Sequence, residues 1–454
     1  MKNRLFLMAD RTFVDKRSVK YEDLHWAQER PVPANVIFFD DKPWEAEHML
    51  GSVITVKPGY YRMYYRSKHH GPQGMGECPC CAESYDGINW HKPELGLFLY
   101  EGSDRNNIII GGDCQKYPAT EKFTGWLNFE TGMHWRGEMD PFIDPTCPEG
   151  APDRYKVLLR GNRGKCQVLS ECYDYGMYPA VSPDGYNWRV LTDKPVITKG
   201  KFDSINKALY DPVRKRYAAF VRDTKNGLQD TNDPEVWRGL VCRDVRVCFS
   251  SDFIHWTEPE YIKYTDFDFF QLYTNGINIY PPEPEYMIGL PTYFHEDTGQ
   301  TEPSFMISCD GGVSFFRWPV GMIPISAPEE RDGNRSNYFI HGMVFPNEDE
   351  IYVYALEGYY RSETHRIRRF VWRRDRFVFM RGTGSFKSRK LDWEGGELQL
   401  NYTGKVIVSS LDESGNKIAS VVMQGDEIRG KAQLPPADQL LFELFDAKVY
   451  AVRL

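Results

Sequence analysis

The sequence predicts an all-β protein, a five-bladed β-propeller followed by a C-terminal β-sandwich. Three observations predict it. A turn signature, Ser-x-Asp-x-x-x-Trp, recurs at Ser84–Trp90, Ser182–Trp188 and Ser250–Trp256, with degenerate copies at Ser308–Gly312 and Arg374–Phe377. A tyrosine follows a turn in each of five successive units and stands five residues before the end of that unit's second strand: Tyr61, Tyr155, Tyr217, Tyr286 and Tyr352. From Trp393 onward the chain changes to a separate run of alternating strands. One unit recurring along a chain marks a repeat architecture. Four short antiparallel strands per unit is the make-up of a propeller blade.

In chain order, residues 1–43 read as an N-terminal arm and lead-in strand, with an extended Pro31-Val32-Pro33-Ala34 stretch. The propeller is expected over 44–388, in units 44–115, 130–198, 199–265, 266–328 and 329–388. The third unit is the cleanest copy. Phe202 to Asp211 and Tyr217 to Arg222 form its first two strands, and Arg246 to Ser250 the third. Ser251–Trp256 then turns the chain into the fourth. In such a turn Asp bonds its own backbone, Gly supplies positive φ and Trp packs down on the sheet, so the motif is scaffold. Long loops at 68–78 and 223–241 are expected to line the mouth. Residues 389–454 form the sandwich, opening at Trp393-Glu394-Gly395-Gly396. Its expected strands are Gly404–Ser410, Ile418–Met423, Leu440–Phe445 and Lys448–Leu454.

Composition bounds the function. The 454 residues carry a net charge of −8, which argues against nucleic acid as the main partner. No window approaches the ~20 apolar residues of a membrane span. The apolar run after Lys2 is too short for a signal peptide, so a cytoplasmic protein is expected unless a leader has been removed. The ten cysteines then read as reduced core residues. Aromatic residues reach 15%, which suits both strands and sugar-stacking sites.

The layout resembles the glycoside hydrolase family 32 N-terminal-like superfamily, with family 32, 43 and 68 propellers, and most nearly a bacterial branch of it. The stretches that carry the resemblance are Tyr61-Arg62-Met63-Tyr64-Tyr65-Arg66, Ala82 to Trp90, Arg154-Tyr155-Lys156, Phe202-Asp203-Ser204-x-Asn206 and Gly395 to Tyr402. The resemblance covers nearly the whole chain. It implies a five-bladed propeller, a C-terminal sandwich, and acidic residues on the inner strands of the first three blades around a sugar. The family's Asn-Asp-Pro-Asn and Arg-Asp-Pro elements are missing here. Glu171-Cys172 falls too late in its unit to stand for the family's acid.

Hydrolysis of a glycosidic bond uses two carboxyl groups, one protonating the leaving oxygen and one acting as nucleophile or activating water. Candidates near the start of an inner strand are Glu45 and Glu47 (with His48) in the first unit, Glu138, Asp140 and Asp144 in the second, and Asp203 in the third. Of these, Asp203, Asp144, Asp140 and Glu47 are taken as catalytic candidates. The plainer reading of Asp203, Asp140 and Asp144 is turn formation, and of Glu47 a surface carboxylate. Arg66, Arg160 and Arg222 share one register in three blades and would suit the oxygens of a sulfated or uronic sugar. Alternatively, each pairs with a carboxylate such as Asp203 or Asp223. Asn206, Tyr273, Asn275, Glu357 and His70 complete the expected binding set. His69-His70 and Cys78, Cys80 and Cys81 fit no standard zinc spacing, and neither metal nor cofactor is expected. His341 and His365 are weaker acid–base candidates.

The expected function is a glycoside hydrolase acting on an oligosaccharide. The alternatives are a non-catalytic carbohydrate-binding propeller and a polysaccharide lyase with a base among Tyr273, Tyr64 and His70.

Overall fold

The computed structural model describes residues 3–20, 22–45, 50–69, 76–98, 100, 102–109, 126–128, 133–135, 137–164, 172–226, 241–266, 271–324, 337–358 and 365–454. Nearly every regular element among them is a β-strand, relieved by two short 3-10 turns, Met8–Asp10 and Lys16–Ser18. No helix among the described residues is long and apolar enough to cross a membrane.

Five of the expected units form sheets in chain order. The first pairs Gly51–Lys57, Tyr60–His69 and Gly76–Ser84. The second is built on Tyr155–Gly164 and Cys172–Ser182, with Phe142–Ile143 beside the start of the former and Met133–Trp135 beside its end. The third runs Lys207–Asp211, Arg216–Asn226, Val241–Ser250 and Glu260–Tyr261. In the fourth, kinks split each long strand into two. Asn278–Ile279, Met287–Gly289 and Phe305–Ser308 pair in one sheet, and their neighbours Gln271–Thr274, Thr292–His295 and Gln300–Pro303 pair in another. Gly276 makes the first kink: its φ is 55°, and a Cβ there would stand 2.5 Å from the Leu290 carbonyl oxygen. The fifth sheet orders Asn337–Phe339, Glu350–Glu357, Arg366–Arg373 and, outermost, Val32–Phe39.

The turn signatures explain why the sheets form a ring. In the first, Ser84 Oγ accepts from Gly87 N at 2.8 Å, and Asp86 Oδ1 accepts from Ile88 N and Asn89 N at 2.7 Å. The second repeats this around Ser182 and Asp184, and the third around Ser250 and Asp252. Each turn leans on the blade before it. Tyr64 of the first blade donates to the Gly185 carbonyl at 3.1 Å. Phe253 packs on Phe142 of the second blade. Gly312 lies against Phe220 of the third, and Asp375 accepts from Tyr280 of the fourth. The first turn closes the circle, since Tyr354 of the fifth blade donates to the Gly87 carbonyl at 2.8 Å. Five turns, each docked on its predecessor, define a five-bladed ring. It is sealed at the inner strands, where Val53 N donates to the His341 carbonyl at 2.7 Å and His341 N to that of Gly51 at 2.9 Å.

Val378–Lys387, expected in the fifth blade, belongs to the C-terminal sheet instead. That sheet orders Leu24–Gln28, Val378–Lys387, Gln439–Arg453, Gly396–Leu411 and Lys417–Leu434, with Leu5–Leu7 beside Gln439–Arg453. Its strands pair as one six-stranded sheet, not as two separately bonded layers. The expected short strands merge into long ones. Their apparent breaks are register shifts, as between Gly382 and Gly384 and between Thr403 and Lys405, which bend a strand without ending it. The inward residues share one core, including Phe13, Phe386, Trp393 and Phe442. The N-terminal arm thus serves both parts, two strands in this sheet and one in the ring.

Candidate active site at the mouth of the propeller

The strand registers assign an end to every candidate. Tyr61, Tyr155 and Tyr217 pair with Ser84, Ser182 and Ser250 at the turn end of each sheet. Arg66, Arg160 and Arg222, five residues on, lie about 17 Å away at the other end. That end, where His69 pairs with Gly76 and Asn226 with Val241, is taken as the mouth; residues 70–75 and 227–240, expected to line it, lie outside the described residues.

Two contact clusters stand there. In the first, Arg66 and Arg160 converge on Glu138: Arg66 Nη1 donates to Glu138 Oε1, and Arg160 Nη2 lies 3.2 Å from Oε2. Glu138 and Arg66 are buried. In the second, Arg222 Nη1 donates to the Tyr273 carbonyl at 2.6 Å, and its Nε lies 3.5 Å from Asp203 Oδ1. Burial pulls the Arg222 pKa down, against the opposing pull of Asp203. The Asp203 side chain is 55% exposed beside this buried cation. Asn206 shapes the loop that holds it. Its Nδ2 donates to the Ser204 carbonyl at 2.7 Å and its Oδ1 accepts from Arg222 N at 2.9 Å. Tyr273 lies under both Arg222 and Arg243, with ring-to-guanidinium distances of 5.4 and 5.6 Å, and meets Tyr338 edge-on. Together the clusters carry four guanidinium groups against two carboxylates.

Glu357, on the same end of the fifth blade, is buried between Arg366 and Arg368, whose Nε atoms donate to it at 2.7 and 2.8 Å. Asn275 is buried and caps its own kink by accepting from Ile277 N at 3.1 Å, so it shapes the fourth blade and does not line the mouth. His365 is buried with its Nδ1 against Asp40.

Asp140 is part of a plug on the propeller axis, contrary to its expected catalytic role. It accepts from Lys207 Nζ and from His341 Nδ1, each at 2.6 Å. His341 Nε2 accepts from Gly276 N at 3.2 Å, so the proton sits on Nδ1. Ser52 Oγ donates to the neighbouring Met139 carbonyl at 3.2 Å. Desolvation pushes the Asp140 carboxyl up, but the Lys207 charge and the His341 bond outweigh it and hold the pKa below the ordinary range. Each carboxylate oxygen is engaged, so the group is a buried counter-ion. The second correction is Asp144, which sits at the turn end, opposite the mouth. It accepts from Tyr217 Oη at 2.5 Å and Thr146 Oγ1 at 2.7 Å and pairs with Lys156 at 3.0 Å, stapling the second blade to the third. Tyr64 is likewise spent on the Gly185 turn. Glu45 is buried and held by Lys92 at 2.6 Å and by Tyr65.

Glu47, His48 and His70 lie outside the described residues. Cys78, Cys80 and Cys81 are buried thiols, and burial pushes Cys80 and Cys81 well up. Among the described residues no group of three or more His, Cys, Asp or Glu side chains is placed to hold a metal ion.

Sequence reading brought Arg66, Arg160, Arg222, Asp203 and Tyr273 to one end of the ring. It named Glu138 but favoured its neighbours, and the two register arginines were the signal that selects it. Arg243 and Tyr338 were missed, and no local motif marks either. No family model and no curated protein matches the chain. Solved structures are similar to it at low identity. One described as a glycoside hydrolase has a TM-score of 0.47 at 13% identity, over 76% of this chain and 92% of its own. The Bombyx mori GH32 beta-fructofuranosidase BmSUC1 gives 0.44 at 11%, over 98% and 96%. An N-acetylgalactosamine deacetylase from F. plautii gives 0.43 at 13%, over 93% and 96%. Assignment of the site rests on this chain's own residues.

Proposed function

We propose that the chain is a glycoside hydrolase that takes an oligosaccharide at the propeller mouth and prefers a sugar bearing sulfate or carboxylate groups. The observation that carries this reading is the exposed Asp203 carboxylate beside buried Arg222, in two described clusters that hold four guanidinium groups and two carboxylates. In this reading Asp203 meets a glycosidic oxygen or an attacking water. Glu138 is the second carboxylate, aimed by Arg66 and Arg160. One of the pair delivers a proton to the leaving oxygen while the other takes the anomeric carbon or a proton from water. Tyr273 offers an aromatic wall. The cationic surplus suits planar anionic oxygens. In this reading the propeller carries the chemistry and the C-terminal sheet braces it.

A second reading is a carbohydrate-binding propeller without turnover. It is favoured by the engagement of Glu138 with two guanidinium groups, which occupies a carboxylate that catalysis would need free. One experiment separates them: sulfated, uronic and neutral oligosaccharides are offered to the wild type, Asp203→Asn and Glu138→Gln. Hydrolysis expects turnover of anionic sugars and a loss of about a hundredfold or more in each variant. Binding without any product supports the second reading. Unchanged turnover in Asp203→Asn removes that residue from the chemistry, and equal turnover of neutral sugars removes the anionic preference.

A further inference from the structure

A cleft of about 570 Å³ lies where the N-terminal arm meets the segment after Val378–Lys387. The Arg11–Arg17 stretch lines it together with Arg389, Lys390 and Gln439. Backbone hydrogen bonds clasp the two segments. Arg389 N donates to the Phe13 carbonyl at 2.8 Å, and Asp15 N to that of Lys387 at 2.9 Å. Two stretches far apart in the chain thus bring five cations together: Arg11, Lys16, Arg17, Arg389 and Lys390. Asp15 is the only carboxylate among the described lining residues. It caps its own turn by accepting from Arg17 N at 3.1 Å. None of the five cations forms an ion pair among the described residues. Elsewhere arginines are matched by carboxylates, as Arg317 is by Asp266 and Arg246 by Asp223. An unpaired basic cluster stands out in a chain of net charge −8.

Arg11 is held in place by the fold. Its φ is 60°, a left-handed conformation that residues other than glycine rarely take. Its guanidinium lies between two rings, 4.8 Å from the Trp26 centroid and 4.9 Å from that of Phe316. Such contacts use the faces of the group and leave its in-plane N–H donors for other partners. Its Nε is buried and meets no acceptor among the described residues. Burial and the Arg11 charge both pull the Lys16 pKa down. An anion seated among these cations would offset their repulsion. We propose that the cleft binds a small ligand through two or more sulfate or phosphate groups. Arg11 and Arg389 bring planar forks for their oxygens, and Lys16 and Lys390 bring compact point charges. The volume falls within the range of about 300–1,000 Å³ that small-molecule sites occupy. Linked anionic groups gain further, because the first contact raises the effective concentration of the next. The cleft shares no residue with the propeller mouth and does not depend on turnover there.

Isothermal titration calorimetry of the full chain tests this with three probes: a polysulfated hexasaccharide, its unsulfated parent and inositol hexakisphosphate. Binding of an anionic probe in the micromolar range is expected. Tighter binding of the sulfated sugar identifies a saccharide as the source of the anionic groups. Tighter binding of the inositol phosphate identifies a phosphorylated small molecule, and either result supports the site. Lys16→Glu combined with Lys390→Glu reverses two exposed charges. This variant should weaken the anionic probes about tenfold for each charge, with an unchanged thermal midpoint and unchanged turnover of short oligosaccharides. Arg222→Lys, at the mouth, should leave the binding intact. Binding that is lost in Arg222→Lys and kept in the double variant overturns the inference. So does binding of neither anionic probe at millimolar concentration, or equal binding of the unsulfated parent.

Discussion

Asp203 precedes the first strand of its blade and Asp144 directly follows Phe142–Ile143, and they do opposite things. Asp203 is exposed at the mouth beside a buried arginine. Asp144 is enclosed at the far end by Tyr217, Thr146 and Lys156. Sequence reading placed both near the axis, because which end of a blade a residue occupies depends on pairing, not on its neighbours in the chain. The arginine register was legible because five residues of strand have a fixed rise. Asp203 was named as a partner and stands beside Arg222, but the partner of Arg66 was not legible, since Glu138 comes from a different blade. Desolvation raises the Asp144 carboxyl, but hydrogen bonds from Tyr217, Thr146 and Lys156 outweigh it and leave its pKa below the ordinary value. A lowered folded pKa means stability that is complete above about pH 4 and drains as pH falls further. Asp144→Asn should therefore cost about 1–3 kcal/mol at pH 7 and lose less than the wild type on acidification. Urea unfolding at pH 7 and pH 3 measures both. Parallel losses in the two proteins would show that Asp144 does not set the acid response.

The turn is the element that the chain repeats most faithfully, and its chemistry is local enough to be read directly. Serine, aspartate and tryptophan each bond within the same seven residues, so no distant information is needed. The docking of each turn on the preceding blade was invisible, because it uses Tyr64, Phe142, Phe220, Tyr280 and Tyr354, which share no motif. The third turn departs from the others. Where Gly87 and Gly185 take positive φ, Phe253 does so at 70°. A non-glycine residue there costs about 1–2 kcal/mol, yet its ring packs against Phe142, Tyr217 and Trp256. Emptying a buried phenylalanine site costs about 3–5 kcal/mol, so packing exceeds strain. Phe253→Gly should destabilise by about 1–4 kcal/mol net on these two figures, measured by urea midpoint. A stabilised variant would mean that backbone strain dominates. The C-terminal strands illustrate the opposite limit of legibility: their alternation was clear, but bulges that bend a strand look like strand ends in a sequence.

At the scale of the molecule, the Asp140 plug ties the ring together. Its partners come from the third and fifth blades, the fourth supplies Gly276 to His341, and the first supplies Ser52 to Met139. Removing the charge from Asp140 leaves the Lys207 ammonium buried without a counter-ion. Asp140→Asn should accordingly cost about 3–5 kcal/mol, the usual penalty for breaking a buried pair from one side. A lowered thermal midpoint with residual activity in the surviving folded fraction is the expected result. A variant of wild-type stability that had lost only turnover would return Asp140 to the chemistry.

The outermost strand of the fifth blade, Val32–Phe39, has a consequence for the order of assembly. Val32 pairs with Val371, so the ladder joins an early part of the chain to a late one. During synthesis this segment is made before all five inner strands and has no partner until Arg366–Arg373 appears. Contacts of such sequence separation come late, because the ends of a long loop must first be brought together. For most of translation the arm is therefore an exposed, extended strand awaiting its ladder. Completion of the ring is the event that removes it from competition with other chains.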